Sequence, residues 1–511
     1  MKTIYIFTFL VIFTLLLFNQ KAEAQHRFEN PVSMGMGATG TTFLGDYNAN
    51  FLNPANLMLR DRSKGVVITF GDIGGGFGGP LADINTYNRF LTNDLILDRA
   101  LQSDMLDLWV GSSNEPGKIH YAGAQFAFIP FAASVRLENH AFSGALRARF
   151  LGKSGVSRGF MEVGFGGLDS EIFSESREVN AKMSFSAFTE LSFGYATMLY
   201  ETSRGPILEL PFRLYAGIAP KILMGVTTTQ FSIRSDLLVS GDSLVVHNFD
   251  YRLATFGELA ENLDRYLADR DQMNEFPVFD DYLEAPGDMF GINATGFGFD
   301  FGLTAEIDLP FNSFNGSFFG KGKRFIRVAM SFSDIGSMSF NNNAAVFRNQ
   351  NQLRWGGAFI DQDRLRDEFD SNLGDYFKEV LTDSIGNEVY LNFQREESSK
   401  LKASLPAQFN FGMQLTAGKF TSAIDLSKGF NREGTNSKIL ALGFGVEYLA
   451  FNVVPLRTGF NTGGTNAASW TFGTGLQTRH YDLNVGIMFV GNSQSSGMWL
   501  AGGLSAFTFR F

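Results

Sequence analysis

The 511-residue chain has no cysteine, only 13 prolines, and charged residues at 18 %, against roughly 25 % in soluble domains. Without cysteine, no disulfide framework can staple a small secreted scaffold. Beyond the first segment, no stretch reaches the ~18 consecutive apolar residues of a membrane helix. A helical membrane protein is therefore excluded, but a strand-built one is not, because only every second residue of its strands faces lipid. Basic residues are also scarce: 42 Lys and Arg stand against 52 Asp and Glu. That balance argues against nucleic acid as a partner, since phosphates call for compensating positive charge. What the chain has in excess is 56 glycines and 55 phenylalanines. A usual glycine share is about 7 %, and here each of the two residues reaches about 11 %. So much apolar material excludes a disordered chain. Length alone suggests about three soluble domains, a prior that large barrels break.

The first segment sets the compartment. Lys2 precedes the apolar run Ile4 to Phe18, and Ala22-Glu23-Ala24 follows. A positive start, a short greasy core and an A-x-A ending predict a secretory signal peptide over residues 1–24, cut before Gln25. The run is shorter than the ~20 residues of a spanning helix. Removing Lys2, Lys21 and Glu23 with it changes the net charge from −10 to −11. No cysteine sits at the cleavage point, so a lipid-anchored protein is excluded.

From there the chain reads with a period of two. Phe409, Phe411, Met413 and Leu415 fall on one face of 408–416, and Gln408, Asn410, Gly412, Gln414 and Thr416 on the other. Between 295 and 308, Phe297, Phe299, Phe301, Leu303, Ala305 and Ile307 alternate with Gly298, Asp300, Gly302, Thr304, Glu306 and Asp308. Ile326, Val328, Met330 and Phe332 oppose Arg327, Ala329, Ser331 and Ser333, and Leu483, Val485, Ile487 and Phe489 form another such face. Side chains alternate across a strand, so these are strands with one greasy and one polar face. A soluble β-sandwich alternates too. Its strands typically run ~5–6 residues, whereas a tilted membrane strand needs ~9–11, the length of the segments seen here. Phenylalanine towards lipid and glycine towards a lumen account for both excesses at once. The expected fold is all-β: a transmembrane antiparallel β-barrel of roughly fourteen to sixteen strands over residues 65–511, with residues 25–64 as an N-terminal lumenal plug.

Two resemblances sharpen this. In 499–511 the odd positions include Trp499, Phe507, Phe509 and Phe511, and the chain ends on the last of these. A terminal Phe closing an aromatic strand resembles the C-terminal signature by which the barrel-assembly machinery recognises bacterial outer-membrane barrels. At the other end, Asn30-Pro31 leads into the small-residue stretch with Gly35, Gly37 and Gly40, followed after a gap by Asn53-Pro54-Ala55 and Leu57. This is similar to the start of the FadL/TodX family of outer-membrane transporters for long-chain fatty acids and hydrocarbons. Leu442 to Tyr448, Pro455 to Gly459 and the hairpin from Trp470 to Phe489 also resemble that group, and equally the related barrels of Bacteroidota, including the type IX secretion component PorV. The resemblance covers about 30 residues at the start and about 70 at the end, with no motif match between. It implies an outer-membrane barrel of fourteen strands that passes a hydrophobic ligand without catalysis or cofactor. Gly35, Gly37, Gly40, Asn53, Pro54 and Ala55 would belong to a lumenal hatch whose shift opens the pore. The plainer reading makes the Asn-Pro segment a turn that stabilises the plug, and either way Pro54 restricts the backbone on both its sides. The PorV-like alternative is a docking barrel for secretion-system or surface-protein partners.

Three polar interruptions carry helical spacing: Phe90 to Trp109, Leu253 to Leu267, and Leu365 to Leu381 with Phe369, Leu373 and Phe377 between. They predict amphipathic helices inserted between strands, within about 81–112, 252–290 and 359–395. Lids, partner-binding surfaces and simple loop caps all fit that pattern.

Several motifs look chemical and lack their context. Gly74, Gly76 and Gly79 satisfy G-x-G-x-x-G, but Pro80 follows where a helix must open. Asp46, Asn48 and Asn50 imitate a calcium loop, yet Phe51 and Leu57 stand where Gly and Glu are required. Ser399 and Lys402 form an S-x-x-K without companions. The histidines (His26, His120, His140, His247 and His480) show no metal-ligand spacing, so no metal site is assigned. Lumen-side charges are the better candidates. Arg147 and Arg149 share one face, and Arg213, Arg327, Arg457 and Arg479 fall on polar faces, with Glu190, Asp300, Glu306 and Glu447 available to neutralise them. They predict either an ion-pair network fixing the plug or a site for a carboxylate substrate.

Overall fold

Alternation along the sequence becomes the two faces of one closed wall. The computed structural model describes residues 29–59, 65–81, 84–90, 92, 99–166, 171–206, 209–240, 243–272, 291–310, 313–314, 316–340, 344–349, 353–356, 366–368, 393–396, 401–463, 466–490 and 498–511. The expected leader 1–24 lies outside the described residues. So do 25–28 and 60–64 of the plug segment, 273–290, and all of the Leu365 to Leu381 helix except residues 366–368.

In chain order the strands are β1 (Val66–Gly79), β2 (Ile119–Arg136), β3 (His140–Ser157), β4 (Arg177–Thr202), β5 (Phe212–Ser240) and β6 (Ser243–Thr255). Next come β7 (Ala294–Asp308), β8 (Arg324–Phe340), β9 (Ala345–Asn349), β10 (Leu353–Gly356), β11 (Phe393–Arg395) and β12 (Leu401–Ser404). The chain continues with β13 (Gln408–Ala417), β14 (Phe420–Gly429), β15 (Ala441–Ala450), β16 (Val454–Gly463), β17 (Asn466–Gln477), β18 (Tyr481–Val490) and β19 (Met498–Arg510). Fourteen of them close a ring: β1 to β5, β7, β8 and β13 to β19 each pair antiparallel with the next. β19 then returns antiparallel to β1. Closure leaves no ring strand with an unpaired edge, the condition for a sheet to stand in lipid.

β7 shows the two faces most plainly. Phe297, Phe299, Phe301 and Leu303 are exposed on the outside, while Asp300 and Thr304 are fully buried on the lumen side. Phe126, Phe142, Phe444, Phe472 and Phe507 continue the outer apolar belt on other strands. Each such ring moved from water into lipid stabilises the fold by about 1.5–3 kcal/mol. Two bulges shift the phase. Between Phe128 and Phe131, two residues of β2, Pro130 among them, face one of β3; proline has no N–H to give the ladder, and a bulge accommodates that. On β8 the register slips opposite Phe299 and Phe301, and Asp334 takes a φ of 56° there. Consecutive Ser333 and Asp334 are therefore both buried.

Turns at one end of the barrel are mostly short, as at 137–139, 418–419, 451–453 and 478–480, and the connections at the other end are mostly long. In bacterial barrels short turns lie on the periplasmic side and long loops outside. β5 runs 29 residues, far beyond the ~9–11 needed to cross. Its first half pairs with β7 and its second half with β6, which carries the sheet past the ring, joined there by β9, β10 and β11.

The insertions differ from the expected helices. Phe90 ends one helix (Ile84–Phe90) and a second spans Arg99–Val110. Leu253 belongs to β6, and the helix there is Gly257–Gln272. A further helix, Arg158–Gly166, packs on Arg99–Val110 through Trp109 and Phe165, and Arg158 reaches Asp107 at 2.6 Å. Among the described residues no helix is long and apolar enough to cross a membrane.

Candidate functional site: the plugged lumen

Residues 29–59 lie inside the ring, and two Asn-Pro pairs shape them. Asn30 caps the helix Pro31–Gly35: its Oδ1 accepts from Val32 N and Ser33 N at 2.9 and 3.0 Å. Pro31 follows in the first turn, where its missing N–H leaves no bond unmade. Asn53 repeats the device on the 3-10 turn Pro54–Met58, accepting from Ala55 N at 3.3 Å. The Asn53 Nδ2 donates to Thr41 O at 2.8 Å, Asn56 Oδ1 at 3.2 Å and Thr304 Oγ1 of β7 at 2.9 Å. Thr304 Oγ1 in turn donates to Asn56 Oδ1 at 2.7 Å. Exchanging Asn53 for alanine strands buried polar groups, at about 1–3 kcal/mol. The N53A plug is expected to be cut faster by protease in detergent than the parent; equal cutting rates would show that Asn53 does not hold it.

The wall makes room for this backbone with glycine. Gly194, Gly217, Gly302, Gly443, Gly445, Gly459 and Gly486 sit where the plug comes closest. A Cβ at Gly217 would lie 2.5 Å from Ala55 N, and one at Gly302 would overlap the Asn53 amide. Gly35 lies against Gly473 of β17, its own Cβ position 2.9 Å from Gly473 Cα. Gly37 has φ +67°, a conformation that suits glycine, and its N–H donates to Thr471 Oγ1 at 2.9 Å. Gly40 N, Thr41 N and Thr41 Oγ1 all donate to Asp425 Oδ2 of β14, at 2.9, 2.9 and 2.7 Å. Tyr47 donates its hydroxyl to Asp72 of β1.

Above the plug, towards the long loops, lies a belt of charge. Arg147 pairs with Glu190 of β4 and with Glu29 of the plug. Arg149 holds Glu29 and Asp334, each at 2.8 Å, and Lys221 holds Asp300 at 2.8 Å and Asp334 at 2.7 Å. The Arg147 guanidinium also sits 3.8 Å from the centre of the Phe51 ring, so the plug supplies both a carboxylate and a π face. Burial opposes the charge on Glu29, but Arg147 and Arg149 outweigh it and hold its carboxyl below the usual range. The next inward positions towards the long loops are apolar: Leu151, Phe188 and Leu223 join Phe256, Met338, Phe340 and Leu405 in one packed cluster.

Two cavities flank the plug. The one on the belt side measures about 70 Å³ and is lined by Glu29, Gln125, Arg147, Arg149 and Asp334 among others. The one on the short-turn side measures about 390 Å³. Asn30, Leu44 and Asn48 line both, and Asn30 Nδ2 donates to Asn48 Oδ1 at 2.9 Å. The partition between the two spaces is thinnest there.

Of the arginines read from the sequence, Arg147, Arg149, Arg327 and Arg457 are buried in the lumen. Arg327 meets Glu306 at 2.5 Å, and Arg457 meets Glu447 at 2.6 Å. Arg213 joins Glu306 and Asp308, both at 2.5 Å. Asp300 neutralises a lysine instead of an arginine. Arg479 requires correction: β17 stops at Gln477, so alternation no longer applies, and Arg479 is exposed in the turn that follows. Sequence reasoning missed Glu29, Asn30, Asn48, Lys221, Asp334 and Asp425. Lys221 had a signal, since it shares its parity along β5 with Arg213.

Comparisons with known proteins stand beside this geometry. The toluene transporter TbuX of Ralstonia pickettii aligns at 11 % identity over 94 % of this chain and 98 % of its own, with a TM-score of 0.40. The toluene transporter TodX of P. putida aligns at 12 % identity over 96 % and 99 %, with a TM-score of 0.40. A TodX deltaS2S3 mutant, described as a monoaromatic hydrocarbon channel, aligns at 12 % over 94 % and 99 %, with a TM-score of 0.46. A likeness this distant assigns neither a ligand nor residue roles. No curated protein matches. Residues 103–488 match the model of DUF5723, described as a family of unknown function; that span is well over half of the sequence, and the chain belongs to the DUF5723 family.

Proposed function

We propose that this barrel stands in the bacterial outer membrane and passes hydrophobic small molecules, long-chain fatty acids among them, by movement of its plug and without chemical catalysis. The observation that carries this reading is Glu29. Its carboxylate is gripped by Arg147 and Arg149 directly beneath the apolar cluster of Leu151, Phe188 and Leu223. An amphipathic carboxylate arriving from the long-loop side, by parting that cluster, would find apolar side chains for its tail and two guanidinium groups for its head. Binding would be driven by removing apolar surface from water. Its head would take the place of Glu29 and loosen the start of the plug, the segment that carries Gly35, Gly37 and Gly40. Asn53, Pro54 and Ala55, locked against Gly217 and Gly302, would stay as the fixed end.

Uptake of labelled oleate by cells tests the function. Deleting the gene is expected to abolish the uptake that the protein provides, and unchanged uptake would sink the proposal. In purified protein, Arg149→Gln is expected to weaken binding of a fluorescent fatty acid about tenfold, the equivalent of about 1.4 kcal/mol. Glu29→Gln is expected to strengthen it, because the internal competitor is gone. A second reading, docking of secretion or surface proteins, is favoured by the sheet that β5, β6, β9, β10 and β11 raise beyond the ring. Stable partners co-purifying from the outer membrane, without any uptake defect on deletion, would favour it.

A further inference from the structure

We infer that the cavity on the short-turn side of the plug is a second binding site, for a small carboxylate. It is separate from the belt around Glu29: it lies on the opposite side of the Asn30–Asn48 partition and its charged residues are different ones. Its volume of about 390 Å³ exceeds what a single water needs by an order of magnitude, at about 30 Å³ per water. Four cations line it, Lys323, Lys419, Arg457 and Arg510, against three carboxylates, Asp46, Glu447 and Asp482.

The carboxylates are already engaged. Arg510 holds Asp46 at 2.8 Å and Asp482 at 2.7 Å, and Arg457 Nε holds Glu447 at 2.6 Å. Among the residues that line the space, cations outnumber carboxylates by one. The unsatisfied donor that calls for an anion belongs to the Arg457 guanidinium. That side chain has no solvent exposure; its Nε is taken by Glu447 and its Nη1 donates to Asn484 Oδ1 at 3.0 Å. Its Nη2 is buried without a partner. A buried guanidinium donor left unmatched is costly, and a carboxylate oxygen is the acceptor that suits its planar fork. Gln414, on the same lining, has its Oε1 buried and unmatched as well.

Calorimetric titration of sodium hexanoate into the purified full chain in detergent micelles tests this. One saturable site is expected, with Arg457→Gln weakening it at least about tenfold and Lys419→Gln, a change in a turn, about threefold. Hexanamide, equally apolar but uncharged, is expected not to bind there. A native-like melting temperature for K419Q keeps the outcome interpretable if R457Q does not fold. The proposal is overturned if hexanamide binds as well as hexanoate, if neither substitution weakens binding, or if binding is lost in R149Q and kept in R457Q. The last result would place the site in the belt, whereas failure of oleate uptake would leave the hexanoate titration unaffected.

Discussion

Valine at position 459 is expected to unseat the plug while leaving the barrel wall intact. Gly459 sits in β16 where the plug backbone presses against the sheet: a Cβ there would stand 2.6 Å from Met36 C and 2.7 Å from Phe444 O, and would overlap Gly37 N. All of these are main-chain atoms, so no flexible side chain can swing aside. Valine itself suits a strand, and of the three contacts two belong to the plug and only Phe444 O to the wall, on β15. Overpacking of this kind costs about 1–3 kcal/mol, which at about 1.4 kcal/mol per tenfold shifts the seated-to-unseated ratio by about 5- to 140-fold. Single-channel recordings in planar bilayers should show frequent large openings in G459V. Gly144→Val is the matched control, because a Cβ at Gly144 meets nothing within 4 Å. Equal conductance from the two variants would show that close packing of the plug against glycine does not keep the lumen shut.

The second large effect concerns Lys221. Its ammonium is completely buried between Asp300 and Asp334, whose side chains are 0 % and 5 % exposed. Lys221→Met removes the positive charge and leaves two carboxylates facing each other in the lumen. Breaking a buried pair on one side costs about 3–5 kcal/mol, so K221M is expected to unfold at markedly lower denaturant, read from the gel shift between folded and unfolded barrel. The double variant K221M/D300N removes a negative charge as well, and the amide oxygen can still accept from Asp334 N, as Asp300 does at 2.7 Å. It should recover most of the loss, and the recovery measures the coupling directly. If the double variant were no more stable than K221M alone, the pairing of Lys221 with Asp300 would not be what matters at this position.

The ring was legible because its chemistry repeats at every second residue. Phe297, Phe299 and Phe301 face outward and Asp300 and Thr304 inward, as alternation requires, and the same holds for Arg147 and Arg149. Legibility ended where a bulge shifted the phase. Asp334 follows a buried Ser333, and simple alternation puts it on the lipid side; only the slip opposite Phe299 and Phe301 turns it to the lumen. At Arg479 the same rule was carried two residues past the end of its strand. Contacts of the plug are harder still to read, since they depend on which wall residue lies opposite which plug residue. Glu29 is separated from its arginine partners on the wall by more than a hundred residues, and nothing local marks a glutamate that will meet Arg147 and Arg149. Asn53 and Pro54 announced a rigid turn without announcing Thr304, Gly302 and Gly217 as its seat.

The bonds that hold the plug also fix the timing of assembly. Gly37 N meets Thr471 across 434 positions of sequence, and Gly40 N meets Asp425 across 385. Pairings at such separation carry the heaviest loop-closure entropy and form late, and the seam that closes the ring, Val67 of β1 against Arg510 of β19, spans a comparable distance. The plug is therefore expected to find its seat only after β14 and β17, which carry Asp425 and Thr471, have been made. Seating of the plug and closure of the seam both wait for the C-terminal strands, so an incomplete ring is expected to be an unplugged one as well.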